Sequence, residues 1–261
     1  MATPHTTNGQ RRLGNVFRAL FHLRHYRAAL AATAIVKQPI RFLTQYALGQ
    51  GSFPSQVSIS TPIGNVALTV NTWHDLRTIH EIFCAEDYAS TASDNVIVDY
   101  GSNIGISGAY FLSRGPNSFC YLFEPLPFNV KTLRQNLQPF DGRYSLTEAA
   151  VGLDDGACEF GWEPTGRYGG LTQKTGNYVV VEVQKSQRVL QNIIDKHGQI
   201  DILKVDIEGL EQAIVEDIPL QMAQAIRKLH VEHLFSTNPL YQTHHISVSG
   251  SVTRFTRKDS V

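Results

Sequence analysis

The sequence predicts an α/β protein built on a doubly wound, mostly parallel sheet, with a basic N-terminal extension. Three observations carry this. Short runs of strand length, Val96-Ile97-Val98, Phe119–Phe123 and Ile202–Val205, are almost wholly apolar, as strands covered on both faces are. Stretches of helical length alternate with them, bounded by Pro or Gly. A glycine-containing turn follows the first of these strands, where an open α/β sheet binds its ligand.

The elements follow in order. Leu13, Val16, Phe17, Leu20 and Leu23 recur at helical steps while Arg11, Arg18, His22 and His25 fall on another face, an amphipathic basic helix. Gly49–Pro54 reads as a linker. Val57–Ser60 and Val66–Val70 alternate about Pro62-Ile63-Gly64-Asn65, a hairpin, and 73–88 reads as a helix entering the main domain. After Val96–Val98 come a helix over 104–113, stopped by Gly115 and Pro116, the strand Phe119–Phe123, and a helix over 128–137 begun by Pro127. Leu146–Val151 is a third strand. Cys158–Trp162 and Tyr178–Val183 flank a glycine-rich insertion, 189–197 is a helix, and Ile202–Val205 the fourth strand. Helical pieces broken at Pro219 precede the strand Leu229–Leu234, and a last hairpin over 245–255 turns at Ser249-Gly250. The short Ser236–Thr243 connection predicts a sheet shortened at that edge. The chain thus divides into a basic extension (1–50), a hairpin and helix (51–94) and a ligand-binding domain (95–261).

Charge is asymmetric. Net charge is zero, yet residues 1–74 hold seven Lys or Arg and no acid, leaving 16 bases against 23 acids in the remaining 187 residues. A basic, amphipathic 11–41 suits peripheral contact with an anionic membrane surface or an acidic partner. It equally suits docking on the chain's own acidic body, covering a substrate, or an organellar transit peptide. The acidic body argues against nucleic acid as partner. No apolar run approaches the roughly 18 residues of a spanning helix, and the polar, basic start argues against a secretory signal. Cys84, Cys120 and Cys158 have no metal-ligand spacing and read as reduced thiols of a cytoplasmic compartment.

The chemistry concentrates in three motifs. In Asp99-Tyr100-Gly101-Ser102-Asn103-Ile104-Gly105 the glycines allow close backbone approach, and amides at the helix start can hold an anionic group. Phe123-Glu124-Pro125 places a carboxylate 19 residues beyond Gly105, where it can accept hydrogen bonds from ribose hydroxyls. Together these point to an adenosine-type ligand. Asn103 stands where a dinucleotide site wants glycine, and Asp99 suits an ammonium better than a phosphate. The third motif, Lys204-Val205-Asp206-Ile207-Glu208-Gly209-Leu210-Glu211, sets three carboxylates at the ligand edge. They serve acceptor orientation, proton removal or a divalent metal site, or are only a salt bridge and helix-start charges. His230-Val231-Glu232-His233 ends strand five and adds Glu232 and His233 as base candidates. Arg167 and Tyr168, in the glycine-rich loop, suit contact with a polar acceptor.

These motifs, in this order over about residues 57–235, resemble the FkbM family of S-adenosylmethionine-dependent methyltransferases. The resemblance implies a Rossmann-like fold of the class I methyltransferase type. It implies O-methylation of a hydroxyl on a sugar, glycolipid or natural product, with a small-molecule or glycan acceptor. It places Asp99, Gly101, Asn103 and Gly105 along the methionine part of the cofactor, with Ser102 and Pro125 in the same motifs. Glu124 falls to the ribose and the turn after Ala150-Val151 to the adenine edge. Two rivals use the same motifs: a dinucleotide-dependent oxidoreductase, and a non-catalytic binding module.

Overall fold

One lateral row of residues runs across the whole central sheet: Ser247, Arg254, His230, Lys204, Asp99, Leu122 and Leu146, one from each of seven strands. The computed structural model describes residues 23–163, 169–170 and 176–258, so the helix expected over 13–23 lies almost wholly outside the described residues, as do Arg167 and Tyr168. The row carries its charged side chains, Arg254, Lys204 and Asp99, towards the middle of the sheet and apolar Leu122 and Leu146 at one edge.

The strands of that sheet are β3 (Val96–Tyr100), β4 (Phe119–Phe123), β5 (Tyr144–Thr147), β10 (Ile200–Val205), β11 (Ile226–Val231), β12 (His244–Ser249) and β13 (Val252–Arg257). Their spatial order is β12-β13-β11-β10-β3-β4-β5. The five from β11 to β5 are parallel, and β13 slots in antiparallel between β11 and β12. The expected shortening at this edge is therefore wrong. The connection needs no long helix, because Asn238 and Leu240 close it as a turn: Asn238 Nδ2 donates to His244 O and its Oδ1 accepts from Leu240 N. The last hairpin then pairs in full.

Helices cover both faces, as the apolar strands require. On one side lie α1 (Leu23–Ile35), α2 (Pro39–Leu48), α3 (Trp73–Ile79), α4 (Ile106–Leu112) and α5 (Pro127–Leu137). Here Ala32, Phe42, Leu76, Phe111 and Leu133 bury against Ile97, Leu122 and Ile202, together with Ile59 and Leu68 of the antiparallel hairpin β1 (Ser55–Thr61) and β2 (Gly64–Val70). The hairpin turns on Pro62-Ile63 alone, since Thr61 pairs with Gly64. On the other side α6 (Ser186–His197), α7 (Glu211–Glu216) and α8 (Leu220–Gln224) pack Leu190, Ile214 and Ala223 onto Val98, Leu203 and Leu229. Among the described residues no helix is long and apolar enough to cross a membrane.

Two elements differ from expectation. The third strand is two: Glu148 and Ala149 break it, so that β6 (Ala150–Gly152) leaves the main sheet and joins a second, four-stranded one with β7 (Gly156–Trp162), β8 (Gly169–Gly170) and β9 (Asn177–Lys185). The helix over 73–88 ends α-helical at Ile79, passes through one wide turn to Cys84, and continues as a loop. Its start is the better defined end, with Asp75 Oδ2 accepting from the Asn71 and Thr72 amides.

Asn136 ties the hairpin to the central domain. Its Oδ1 accepts from Thr69 N at 2.7 Å, and its Nδ2 donates to Thr69 O and Ile104 O. The side chain is buried, so Asn136→Ala strands backbone groups that each cost about 1–3 kcal/mol unpaired. Urea unfolding is expected to show a loss of about 2–4 kcal/mol; an unchanged midpoint would mean the hairpin is not held this way.

Candidate functional site

The site begins with Lys204, a lysine at the centre of a sheet and 1% exposed. Register sets it beside Asp99 on β3, and its Nζ lies 2.9 Å from Asp99 Oδ1. It also donates to the carbonyls of Tyr100 (3.2 Å) and Gly101 (2.9 Å), and stands 3.4 Å from Asp206 Oδ2. Burial alone would lower its pKa, but the charges of Asp99 and Asp206 outweigh it and the pKa is raised. Asp99 has no exposed surface, and Ser107 Oγ donates to its second oxygen at 2.6 Å. Its carboxylate is thus spent beneath the turn and is not among the cleft-lining groups.

The turn after β3 presses directly on the end of β10. A Cβ on Gly101, at φ +78°, would sit 1.8 Å from Asp206 O, so only glycine fits. Asn103 (φ 47°) and Gly105 (φ 84°) also take left-handed conformations, which asparagine tolerates better than most residues. The turn's amides are spent internally. Gly101 N and Ser102 N donate to Phe123 O, Asn103 N to Glu124 Oε2, Ile104 N to Asn103 Oδ1 and Gly105 N to Ser102 O. The expectation that amides here would hold an anion is therefore corrected for these five: the turn has folded back on its own acceptors.

Glu124, at the end of β4, is the acceptor that organises this turn. Its Oε2 takes Asn103 N at 2.9 Å, and its Oε1 takes Leu126 N and Asn129 Nδ2. Burial pushes its pKa up to about 7, against the lowering effect of those donors. Beside it Pro125, Leu126, Ala150, Val151 and Phe160 form an apolar wall. These residues line a cleft of about 1180 Å³, open to solvent, that runs on past Gly101, Ser102 and Asn103 to Asp206 and Glu232.

The far end of the cleft is acidic. Asp206 Oδ2 accepts from Tyr88 OH at 3.1 Å, and Asp206 also shares a hydrogen bond with Glu232. Ser251 Oγ reaches Glu232 Oε1 at 3.2 Å. Two carboxylates this close cannot both ionise cheaply. The Asp206 charge, reinforced by burial, pushes Glu232 up to about 9. Asp206 goes the other way, since Lys204 and the hydrogen bonds from Glu232 and Tyr88 overcome its burial. One proton thus sits on Glu232 at neutral pH, with the negative charge on Asp206. Glu208 also lines the cleft, held at a left-handed φ of 57° that few non-glycine residues adopt.

Of the sequence-predicted residues, Lys204, Asp206, Glu208, Glu232, Gly101, Ser102, Asn103, Glu124, Pro125, Ala150 and Val151 all line this one cleft. Gly105 packs on Leu133 instead. Glu211 is structural, accepting from Ile207 N and Gly209 N. His233 turns away, its ring edge-on to Phe235 at 4.7 Å, and is not among the cleft-lining residues. His230 is buried with Nε2 against Ala89 O, and burial drives its pKa down to about 3. No group of three or more potential metal ligands occurs among the described residues. Sequence reading missed the wall formed by Asp75, Thr78, Glu81, Asp87 and Tyr88. The segment after α3 is held over the sheet by Arg254, which donates to the carbonyls of Glu86 and Asp87, and by Ser249 Oγ on Asp87 Oδ1 at 3.0 Å.

Sheet order and the reversed last hairpin are those of the class I methyltransferase fold. Residues 99–245, more than half of the chain, match the methyltransferase FkbM domain, and the chain belongs to that family. It is 24% identical over 185 residues to methyltransferase sdnD of Sordaria araneosa, covering 56% of this chain and 69% of that protein. It is 26% identical over 151 residues to the AMB antimetabolite synthetase AmbE of Pseudomonas aeruginosa, covering 56% of this chain but only 7% of that much longer protein. Among solved structures, a methyltransferase from Geobacter sulfurreducens aligns with a TM-score of 0.35 at 15% identity, over 63% of this chain and 71% of that one.

The shared proton has a sign that can be measured. With Glu232 raised from 4.5 to about 9, the native state holds a proton that the unfolded chain releases in this interval. The Glu232 contribution to stability therefore falls as pH rises from about 4.5 towards 9; Glu124 adds to the fall up to about 7, and His230, lowered from 6.5 to about 3, opposes it below about 6.5. Glu232→Gln is expected to flatten the upper part of this decline, read as melting temperature against pH. A variant with the wild-type slope above pH 7 would refute the shared proton.

Proposed function

We propose that this chain is an O-methyltransferase that uses S-adenosylmethionine and acts on a hydroxyl of an uncharged or cationic glycan or natural product. The observation that carries the reading is the contrast between a turn whose five amides are already used and a cleft whose charged groups, apart from the buried Lys204, are all carboxylates. That contrast disfavours a pyrophosphate and suits an adenosine ligand bearing positive charge. The donor set fits the cofactor. Glu124 would accept the ribose hydroxyls, Leu126, Ala150, Val151 and Phe160 would cover the adenine, and the Asp206 end would face the cationic portion.

When bound, this cofactor supplies an electrophilic methyl group on a sulfonium. The chain's own residues then have to hold the acceptor in line and take its proton, and alignment supplies most of the acceleration. Asp206 is fixed by Lys204 and Tyr88, which leaves it oriented to accept a hydrogen bond from the incoming hydroxyl. The Asp206–Glu232 pair would take the acceptor's hydroxyl proton as its O–H bond breaks, while the oxygen would replace sulfur on the methyl carbon and the electrons of the broken S–C bond would stay on sulfur. Glu208 stands beside that path as a further acceptor. Glu81, Asp87, Asp206 and Glu208 around the mouth oppose a phosphate-rich acceptor such as nucleic acid. The name of one relative, an antimetabolite synthetase of which this chain matches 7%, supports a natural-product acceptor.

Calorimetry with S-adenosylhomocysteine and, separately, NADH tests the cofactor. The first is expected to bind and the second not. Glu124→Ala should weaken binding roughly 10–100-fold, the worth of hydrogen bonds to a charged acceptor. Binding of NADH alone would sink the reading. With methyl-labelled cofactor and a panel of hydroxylated acceptors, Asp206→Asn is expected to lower kcat by about 10²–10⁴, a larger loss than the weakening of cofactor binding that follows from removing a charge facing its cationic portion. An active Asp206→Asn variant would remove Asp206 from the reaction.

A further inference from the structure

The helices α1 and α2 each bury one face and leave the other in water. Ala28, Ala32 and Phe42 lie in the core, whereas Tyr26 and Leu30 on α1 and Ile40 and Leu48 on α2 are 50%, 68%, 82% and 65% exposed. Ile40 is the most exposed large hydrophobic among the described residues. The outward positions follow one helical stripe, Tyr26, Leu30, Thr33 and Ala34 on α1 and Ile40, Thr44, Ala47 and Leu48 on α2. Arg27, Lys37 and Arg41 are also exposed, and none forms an ion pair among the described residues.

We infer that this face docks on an anionic lipid bilayer. The argument is charge complementarity combined with shape. No acid occurs before Asp75, so the helices carry only positive charge beside their exposed apolar residues, and Arg11, Arg12 and Arg18 precede them with the same sign. The chain's own acidic body is not the occupant, because α1 and α2 already pack on it through their opposite faces. The apolar groups stand singly between threonines and alanines. Such a stripe inserts shallowly at the headgroup boundary, while the long basic side chains keep their charge in water. The face is rigidly connected to the cleft. Trp73 Nε1 donates to Tyr46 O at 3.1 Å, and the Tyr46 ring stacks on His80 at 4.3 Å, so α2 braces the wall that carries Asp75, Thr78 and Glu81.

Flotation of the full chain with vesicles of phosphatidylcholine alone, or mixed with phosphatidylglycerol, tests this at low and high salt. Partition to the mixed vesicles only, weakening with salt, is expected. The combined Arg27→Glu, Lys37→Glu, Arg41→Glu variant should lose on the order of a hundredfold in partition, from about fivefold per base. Leu30→Glu with Ile40→Glu and Leu48→Glu should abolish detectable partition. All six side chains are exposed, so circular dichroism and melting temperature should match the unmutated chain. Equal binding to neutral vesicles, or none to either, overturns the inference. So does wild-type partition in both variants, which would move the contact to residues 1–22. A dimer of the unmutated chain that Ile40→Glu dissociates, seen by light scattering, would make the face a self-contact instead.

Discussion

A buried ammonium holds the centre of this molecule together. Lys204 has left water entirely, and it is tolerable there only because Asp99, Asp206 and two backbone carbonyls surround it. Those partners come from the ends of two neighbouring parallel strands and from the turn that leaves one of them. Meeting the demand of a single charge therefore fixes the separation of β3 and β10 where the crevice opens. It also fixes the approach of Gly101 to Asp206, which leaves no space for a side chain.

The same charge decides the protonation pattern further along. Lys204 stabilises an ionised Asp206, and an ionised Asp206 compels Glu232 to keep its proton. Tyr88 supports the arrangement from the opposite wall, where burial and the two acids raise its pKa well above the ordinary phenol range and keep it a donor. Three ionisable side chains thus hold complementary states at neutral pH. Each state is set by its neighbour rather than by solvent.

Much of this was legible in the chain itself. Apolar runs of strand length located the parallel strands, and the motifs at Asp99–Gly105, Phe123–Pro125 and Lys204–Glu211 located one continuous cleft. What could not be read were facts of register and direction. Asp99 looked like a cofactor contact because it ends a strand, but pairing with Lys204 turns it under the turn. The amides looked free because hydrogen bonds such as Asn103 N to Glu124 join residues 21 apart in sequence. His233 looked like a base, yet the strand ends at Val231 and the chain then carries the ring to Phe235. Tyr88 left no signal at all, since a tyrosine near the end of a helical stretch is unremarkable until Arg254 straps its loop onto the sheet.

The family match begins at Asp99 and stops at His245, the second residue of β12. Glu124, the apolar residues Leu126, Ala150, Val151 and Phe160 beside it, and Asp206 fall inside it. The opposing wall, from Asp75 to Tyr88, and the hairpin residues Ser251 and Val252 fall outside. The two walls of the cleft thus come from separate stretches, one inside the family match and one outside it. Under the proposed function, substitutions from Asp75 to Tyr88 can reshape the side of the cleft that faces Asp206 and Glu232 without touching any residue of the stretch that defines the family.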